Sequence, residues 1–476
     1  MDPGLKILTS AESKQCDTLT RQKEGMNAHD LMDRATARIF NCLLGIIPEH
    51  QPITVLCGPG DNGADGLCIA SMLAAKGYSV NTKICLLGKN PSAALAFRIK
   101  LYGEQKNMQP VFVQSPDELD FDDHSTVVDA LFGTGLTRPL ENHWLLLIEK
   151  INKKSSYVIS IDIPSGLMDE TGNLSMIWVK ATKVISIQSP KPSLLYPENK
   201  IDFEVIDCGI QTTSINTHRY FLDYGDTTVQ KQMNSLLPHR PRHSHKGIFG
   251  HTLLIGGNTG MHGAISMAAK SCYDAGSGLT TVLSPANTLP YLAHIPGIMH
   301  IADNLNESSI RQLPEGKFRS VAIGPGLGNN AETHALLWAV LDKFRFPLVI
   351  DADALNIVAA DPELFKMLPK GSLLTPHPAE FNRLFGSTTH GKEKEELALG
   401  KAAEFGIYIL AKNTYSFLAC PDGKVFYNGT GNAQLSRGGS GDKLTGMISG
   451  LYAQNQNMHN AALAGMYFSG IGVSLI

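Results

Sequence analysis

The chain of 476 residues has no CxxC pair and no zinc-type spacing among its cysteines. The eight stand apart at Cys16, Cys42, Cys57, Cys68, Cys85, Cys208, Cys272 and Cys420. Such scattered thiols read as buried and reduced, which argues against a disulfide scaffold or a cysteine metal cage. Net charge is scarce as well. At -3 overall, the chain has no basic excess for nucleic acid or for a polybasic membrane clamp. Its first residues, Met1-Asp2-Pro3-Gly4-Leu5-Lys6, hold no apolar signal core, so the default address is cytoplasmic. Between Leu444 and Ile476 there is no Asp, Glu, Lys or Arg. A membrane span would need ~20 apolar residues in a row. The cluster Gln454-Asn455-Gln456-Asn457 and several glycines break this run. It predicts two buried helices joined by a polar turn, and no membrane partner.

What is present is ordinary for a globular α/β protein. Apolar residues make up 43% and charged residues 18%, and the length suits two or three domains, each with its own core. In the first half, apolar spacing predicts helix up to about residue 50. The short apolar strand 53–57 runs into the loop Gly58-Pro59-Gly60-Asp61-Asn62-Gly63-Ala64-Asp65-Gly66, with helix expected over 67–75. Strand, glycine-rich loop and helix make the phosphate-binding corner of a Rossmann-like sheet. Strand 126–132 ends in Gly133-Thr134-Gly135-Leu136-Thr137-Arg138-Pro139, and strand 157–161 ends in Asp162-Ile163-Pro164-Ser165-Gly166. In such sheets ligand groups gather beyond the carboxyl ends of the strands, so Asn62, Asp129, Asp162 and Ser165 are placed to converge. Polar, irregular residues 211–231 read as a linker, which puts the boundary at 225/226.

The second half is organised around Gly438-Gly439-Ser440-Gly441-Asp442-Lys443-Leu444-Thr445-Gly446. A glycine turn opening a helix aims free backbone N–H groups and the positive end of the helix dipole at one spot, which suits a phosphate or a developing oxyanion. A carboxylate at the rim of such a hole repels a bound phosphate. It makes sense as a base that takes a proton from the group being phosphorylated. The competing reading of Asp442 is a plain helix N-cap. Strands over 251–255, 321–323, 348–350, 373–374 and 407–411 lead into further turns. They bring forward Ala264 on a small-residue helix face, Gly326, the pair Asp351 and Asp353, His377, and the stretch Lys412-Asn413-Thr414-Tyr415-Ser416.

These motifs, in this order, resemble the bifunctional NAD(P)H-hydrate repair enzymes, an N-terminal epimerase fused to a C-terminal dehydratase. The resemblance covers nearly the whole chain and implies a Rossmann-like three-layer domain at 1–225 and a ribokinase-like α/β domain at 226–476. It implies an epimerase acting on the R and S forms of hydrated NADH and NADPH. It implies a dehydratase that spends ADP or ATP, with magnesium, on the S form. Asp61, Asn62, Gly63, Ala64 and Asp65, with Gly133, Thr134, Gly135, Leu136, Thr137, Arg138 and Pro139, match the epimerase's substrate loops. Asp162 matches a substrate contact and is the candidate acid/base. Asn62, Asp129 and Ser165 match the ligands of a potassium ion. In the dehydratase, Ala264, Gly326, His377 and Asp442 match substrate positions, with Asp442 the candidate base. Lys412, Asn413, Thr414, Tyr415, Ser416 and Gly441 match nucleotide positions. Homo-oligomers are usual in this family, and its members usually continue past this C-terminus, which therefore reads as clipped.

The sequence departs from the family pattern at Asp61, Ala64, Asn413, Ser416 and Lys443. Two alternatives therefore stay open at this point: a ribokinase-like kinase for a small alcohol, and a non-catalytic nucleotide-sensing module.

Overall fold

The computed structural model describes residues 2–47, 51–104, 109–136, 138–168, 177–432, 435 and 437–472. Thr137, one of the expected substrate-loop residues, lies outside them. The chain divides into two compact units, Lys6–Thr217 and a second made of Met1–Leu5 with His218–Ile476.

In the first unit seven described strands form one parallel sheet. Their order across it is Val111–Val113, Val80–Cys85, Ile53–Cys57, Thr126–Ala130, Val158–Ile161, Lys183–Ile187 and Phe203–Ile206. The order reverses direction between Ile53–Cys57 and Thr126–Ala130, and the crevice beyond that switch point is where ligands collect. Side chains alternate along a strand. Ile53, Val55 and Cys57 join a core with the helices Ala28–Ile46, Asp61–Ala75 and Ala93–Gly103, while Leu56 joins a separate core with Trp144, Leu147 and Ile148 of the helix His143–Lys154. Helices thus cover both faces, giving the three layers.

The helix expected over 67–75 begins six residues earlier, as Asp61–Ala75. The residues read as a loop are its first turns. Glycine permits this, because a Cβ on Gly63 would lie 1.9 Å from the Gly58 carbonyl oxygen and one on Gly66 2.6 Å from the Ala130 Cβ.

The second unit's sheet runs Ile298–Ala302, Leu279–Ser284, His251–Ile255, Ser320–Ile323, Val349–Ile350, Leu373–Leu374, Tyr408–Ala411, Phe417–Ala419, Val425–Asn428, Arg219–Leu222, with Leu5–Lys6 at the edge. Phe417–Ala419 runs antiparallel to both of its neighbours, Tyr408–Ala411 and Val425–Asn428; the strands from Ile298–Ala302 to Tyr408–Ala411 are parallel to one another, and so are Val425–Asn428 and Arg219–Leu222. Residues 219–222, expected to be linker, are a strand paired with Val425–Asn428, and Thr227–Ser235 is a helix. The boundary therefore falls at Thr217/His218, not 225/226, because Tyr220, Leu222, Val229 and Met233 bury their side chains in the second unit's core.

The uncharged C-terminal run forms the helices Ser440–Asn455 and Met458–Ile471, joined at Gln456 and Asn457. Among the described residues no helix is long and apolar enough to cross a membrane. Ser440–Asn455 packs along His262–Asp274 so closely that a Cβ on Gly446 would stand 2.0 Å from the Ala268 carbonyl oxygen. The small-residue face of the earlier helix thus serves this helix contact along much of its length.

Candidate functional site

Each unit has a cleft. In the first unit it encloses about 570 Å³ beyond the sheet's switch point. Of the expected residues, Asp61, Asn62, Asp65, Gly133, Thr134, Gly135, Leu136, Arg138 and Asp162 line it. Gly63 and Ala64 do not; both are buried behind it in the helix Asp61–Ala75. Ala64 has no positive φ, so a side chain is tolerated there. Pro139 is exposed and outside the lining.

Asp162 holds a left-handed φ of 70° directly after Val158–Ile161, a conformation Asp tolerates better than most residues. Its Oδ1 pairs with Lys191 Nζ at 2.7 Å, and the two side chains are 12% and 3% exposed. Lys191 Nζ also donates to the carbonyls of Ile187 at 2.9 Å and Ser189 at 3.1 Å. Lys191, which stands just before the helix Pro192–Leu195, carries no sequence motif. Asp17, on the helix Ser10–Glu24, carries none either and lines the same cleft. Its carboxylate makes no hydrogen bond or ion pair among the described residues. Enclosure, then the charge of Asp162, push it up to about 6, against the pull of Arg21 and Lys191. Asp65 is raised in the same way, by enclosure and by Asp162 and Asp61. Asp61 itself accepts from Ser92 Oγ at 2.9 Å.

Asp129 and Ser165 sit behind the cleft wall. Asp129 is fully buried. Its Oδ1 accepts from Ser165 Oγ at 2.6 Å and Leu131 N at 3.2 Å, and its Oδ2 from Ser160 Oγ at 2.7 Å and Ser165 N at 2.9 Å. Burial raises its pKa, and these bonds oppose the rise without cancelling it. No basic side chain pairs with it among the described residues. Asn62 lies by Gly133 and Asp162: a Cβ on Gly133 would stand 3.4 Å from both its Cγ and Asp162 Oδ2.

In the second unit the cleft encloses about 500 Å³ and is lined by Lys412, Asn413, Thr414, Ser416, Ser440 and Gly441, among others. Tyr415 is not in the lining; its ring packs edge-on against Phe221. Asn413 and Ser416 close a tight turn, Asn413 N donating to Ser416 Oγ at 3.1 Å and that hydroxyl to the Asn413 carbonyl at 3.1 Å. Asn413 has no positive φ, so a glycine is not required there.

Gly439, with φ 89°, is the N-cap of Ser440–Asn455. The cap is therefore not Asp442, which lies inside the first turn. The Asp442 carboxylate makes no hydrogen bond or ion pair among the described residues. Burial first, then Asp351 and Asp353, push it up to about 6, while Lys412 pulls it down. Lys443 is exposed and is not among the charges that act on it. The Lys412 ammonium lies 3.0 Å from where a Cβ on Gly441 would be, so it faces the helix start.

Asp442 and the remaining expected residues, Ala264, Gly326 and His377, are not in the lining of this cleft. Gly326 and Ala264 are neighbours, 3.3 Å between the Ala264 Cβ and a Cβ built on Gly326. The loop after Gly326 is tied to Asp353, whose Oδ2 accepts from Gly328 N at 2.8 Å. His377 caps the helix Pro378–Phe385. Its Nδ1 accepts from Ala379 N at 3.1 Å, and its Nε2 stands 3.2 Å from Glu380 Oε1. Partial burial, Lys412 and Arg383 hold its pKa down. Burial, then Asp351, push Glu380 up to about 7 against the His377 N–H and Lys412. Among the described residues no group of three or more His, Cys, Asp or Glu is arranged to hold a metal.

Residues 28–193 match the family model described as YjeF-related protein N-terminus, and residues 252–473 the one described as NAD(P)H-hydrate dehydratase. The chain is 32% identical to the bifunctional NAD(P)H-hydrate repair enzyme Nnr of Moorella thermoacetica, over 98% of this chain and 91% of that one. It is 30% identical to the protein of the same description from Thermofilum pendens, over 98% and 91%. Among solved structures, the ADP/ATP-dependent NAD(P)H-hydrate dehydratase of Bacillus subtilis, co-crystallized with ATP/Mg2+, is 31% identical over 51% of this chain and 86% of that one, with a TM-score of 0.46.

Proposed function

The chain belongs to the bifunctional NAD(P)H-hydrate repair enzymes, and on that premise we propose which of its residues carry each reaction. The enzyme epimerises the R and S forms of hydrated NAD(P)H and dehydrates the S form at the expense of ADP or ATP.

For epimerisation, Asp162 takes the proton of the ring hydroxyl. The carbon–nitrogen bond beside it opens as the carbonyl forms, and the ring nitrogen takes a proton from Asp17. Rotation and the reverse steps close the other epimer. The two carboxylates suit opposite roles because Asp162 is paired with the Lys191 ammonium, whereas Asp17 has no such partner among the described residues and enclosure favours its protonated form. Asn62, Asp129 and Ser165 are the residues that would hold a potassium ion. Asp129 is a buried carboxylate surrounded only by neutral donors, and a cation would balance its charge. That ion would supply a fixed positive charge beside the substrate loops.

For dehydration, Asp442 takes the proton of the ring hydroxyl as a nucleotide phosphate is transferred to it. Phosphate then leaves as the ring nitrogen supplies electrons, the ring carbon next to the departing group loses a proton to the released phosphate or to solvent, and the carbon–carbon double bond of NAD(P)H is regenerated. The N–H groups from Gly439 to Gly441 and the Lys412 ammonium face the transferring phosphate. Lys412, Asn413, Thr414 and Ser416 receive the nucleotide, and Ala264, Gly326 and His377 the hydrate. Magnesium would arrive on the nucleotide phosphates, as is usual for that ion. The observation that carries this reading is the bond-free carboxylate of Asp442 at a glycine-capped helix start with a lysine beside it. Assembly into a homo-oligomer and a cytoplasmic address belong to the same proposal.

The test follows near-ultraviolet absorbance of NADH from a mixture of R and S hydrates with magnesium and either ADP or ATP. Full recovery is expected, and the faster nucleotide is the donor. Recovery that halts at the S fraction would overturn the epimerase assignment, and a flat trace with both nucleotides the dehydratase assignment.

A further inference from the structure

Asp351 joins two parts of the dehydratase site that the family motifs treat separately. It follows the strand Val349–Ile350 and is 1% exposed. Its Oδ1 accepts from Lys412 Nζ at 2.7 Å and its Oδ2 from Thr445 Oγ1 at 2.6 Å. Thr445 lies three residues beyond Asp442 on Ser440–Asn455, the spacing that puts two side chains on one helix face. One buried carboxylate therefore bridges the nucleotide lysine and the helix that carries the base. The backbone around it is held tightly. Its N–H bonds the Ile323 carbonyl at 3.1 Å, and a Cβ on Gly324 would lie 1.7 Å from the Asp351 carbonyl oxygen. Ala352 takes a left-handed φ of 49°, which costs a residue with a Cβ ~1–2 kcal/mol. Strain of this kind persists where the surroundings impose it.

Resting on the dehydratase reading above, we propose that Asp351 is a positioning residue for the phosphoryl step. Its two oxygens hold Lys412 and the base-bearing helix in one register, and its charge opposes that of Asp442. The other charges acting on Asp442 are Asp353, which also opposes it, and Lys412, which favours it. His377, Glu380 and Arg383 lie around Lys412, and Lys443 on the base's own helix is exposed. Loss of the Asp351 charge leaves Lys412 acting on Asp442 with less opposition. The base then becomes weaker and ionises at lower pH.

The experiment uses the full chain with Asp351→Asn, which keeps an oxygen for Thr445. The expected result is a fall in dehydratase kcat of about tenfold or more. The acid limb of its pH profile is displaced to lower pH, and epimerase activity is unchanged. An Asp351→Asn protein with normal epimerase activity and an acid limb where the parent has it overturns the proposal, whatever its rate. Should Asp351→Asn not fold, Thr445→Val removes only the tether. The proposal then requires a raised KM for the nucleotide with the acid limb unmoved, and an unchanged KM overturns it. Asp442→Asn is measured alongside: if it still dehydrates, the underlying reading of the base fails, separately from the role of Asp351.

Discussion

Lys191 Nζ stands 2.7 Å from Asp162 Oδ1, and both side chains are nearly sealed from solvent. A buried pair is costly to break from one side, by ~3–5 kcal/mol, because the remaining charge loses its partner. Lys191→Met is therefore expected to destabilise the first unit and abolish epimerisation. The Asp162→Asn, Lys191→Met double variant should recover much of the stability and none of the activity. Thermal denaturation and turnover of pure R hydrate check this. A single variant as stable as the double would contradict it.

Asp17 is pushed up to about 6, and in its proposed role it donates a proton while protonated. Epimerase kcat should therefore fall as the pH rises through about 6. Asp17→Asn should slow the reaction by ~10²-fold and remove that limb. A pH–rate profile of hydrate interconversion, run without nucleotide so that dehydration is silent, reads both effects.

Asp442 has the opposite requirement. As the proposed base it must be ionised, so dehydratase activity should rise with pH and level off above about 6. Asp442→Asn should lower the rate by ~10²–10⁴-fold with epimerisation intact. The sign for stability follows from a folded-state pKa above the unfolded one: ionising Asp442 costs the fold. That cost is absent below the unfolded value and fully present above about 6. Asp442→Asn should then stabilise the second unit at neutral pH, on the order of 1–2 kcal/mol, with no gain in strong acid. Denaturant melts at the two pH values test the difference.

Asp129 accepts four hydrogen bonds while fully buried. Asp129→Asn places an NH₂ where Ser160 or Ser165 now donates, and leaving buried donors unpaired costs ~1–3 kcal/mol each. The first unit's melting temperature should drop while dehydratase activity persists. The parent should melt higher in potassium than in a bulky organic cation, and the variant should not. An equal potassium response in both would remove Asp129 from the ion site.

The sequence by itself determined the class of fold and the address of most site residues. Short apolar runs ending in glycine turns are local signals, and in parallel α/β sheets strand ends are where ligands must sit, so Asp162, Lys412 and Asp442 could be named from their place in the chain. Helix boundaries were less legible. Asp61–Ala75 starts inside the glycine-rich stretch because Gly63 and Gly66 let it press on Gly58 and Ala130, a contact between distant residues. The strand Arg219–Leu222 looked like linker because its partner, Val425–Asn428, is some two hundred residues away.

Only the tertiary structure decided the chemistry of the charged groups. Lys191 and Asp17 carry no motif, and their roles come from the walls of one cleft meeting around Asp162. Lys443 is next to Asp442 in sequence, yet it faces outward. The charges that act on the base, Asp351, Asp353 and Lys412, arrive from the helix start at 351–353 and the end of the strand Tyr408–Ala411. Electrostatic influence follows distance and burial in space, and a side chain's neighbours along the chain do not fix either.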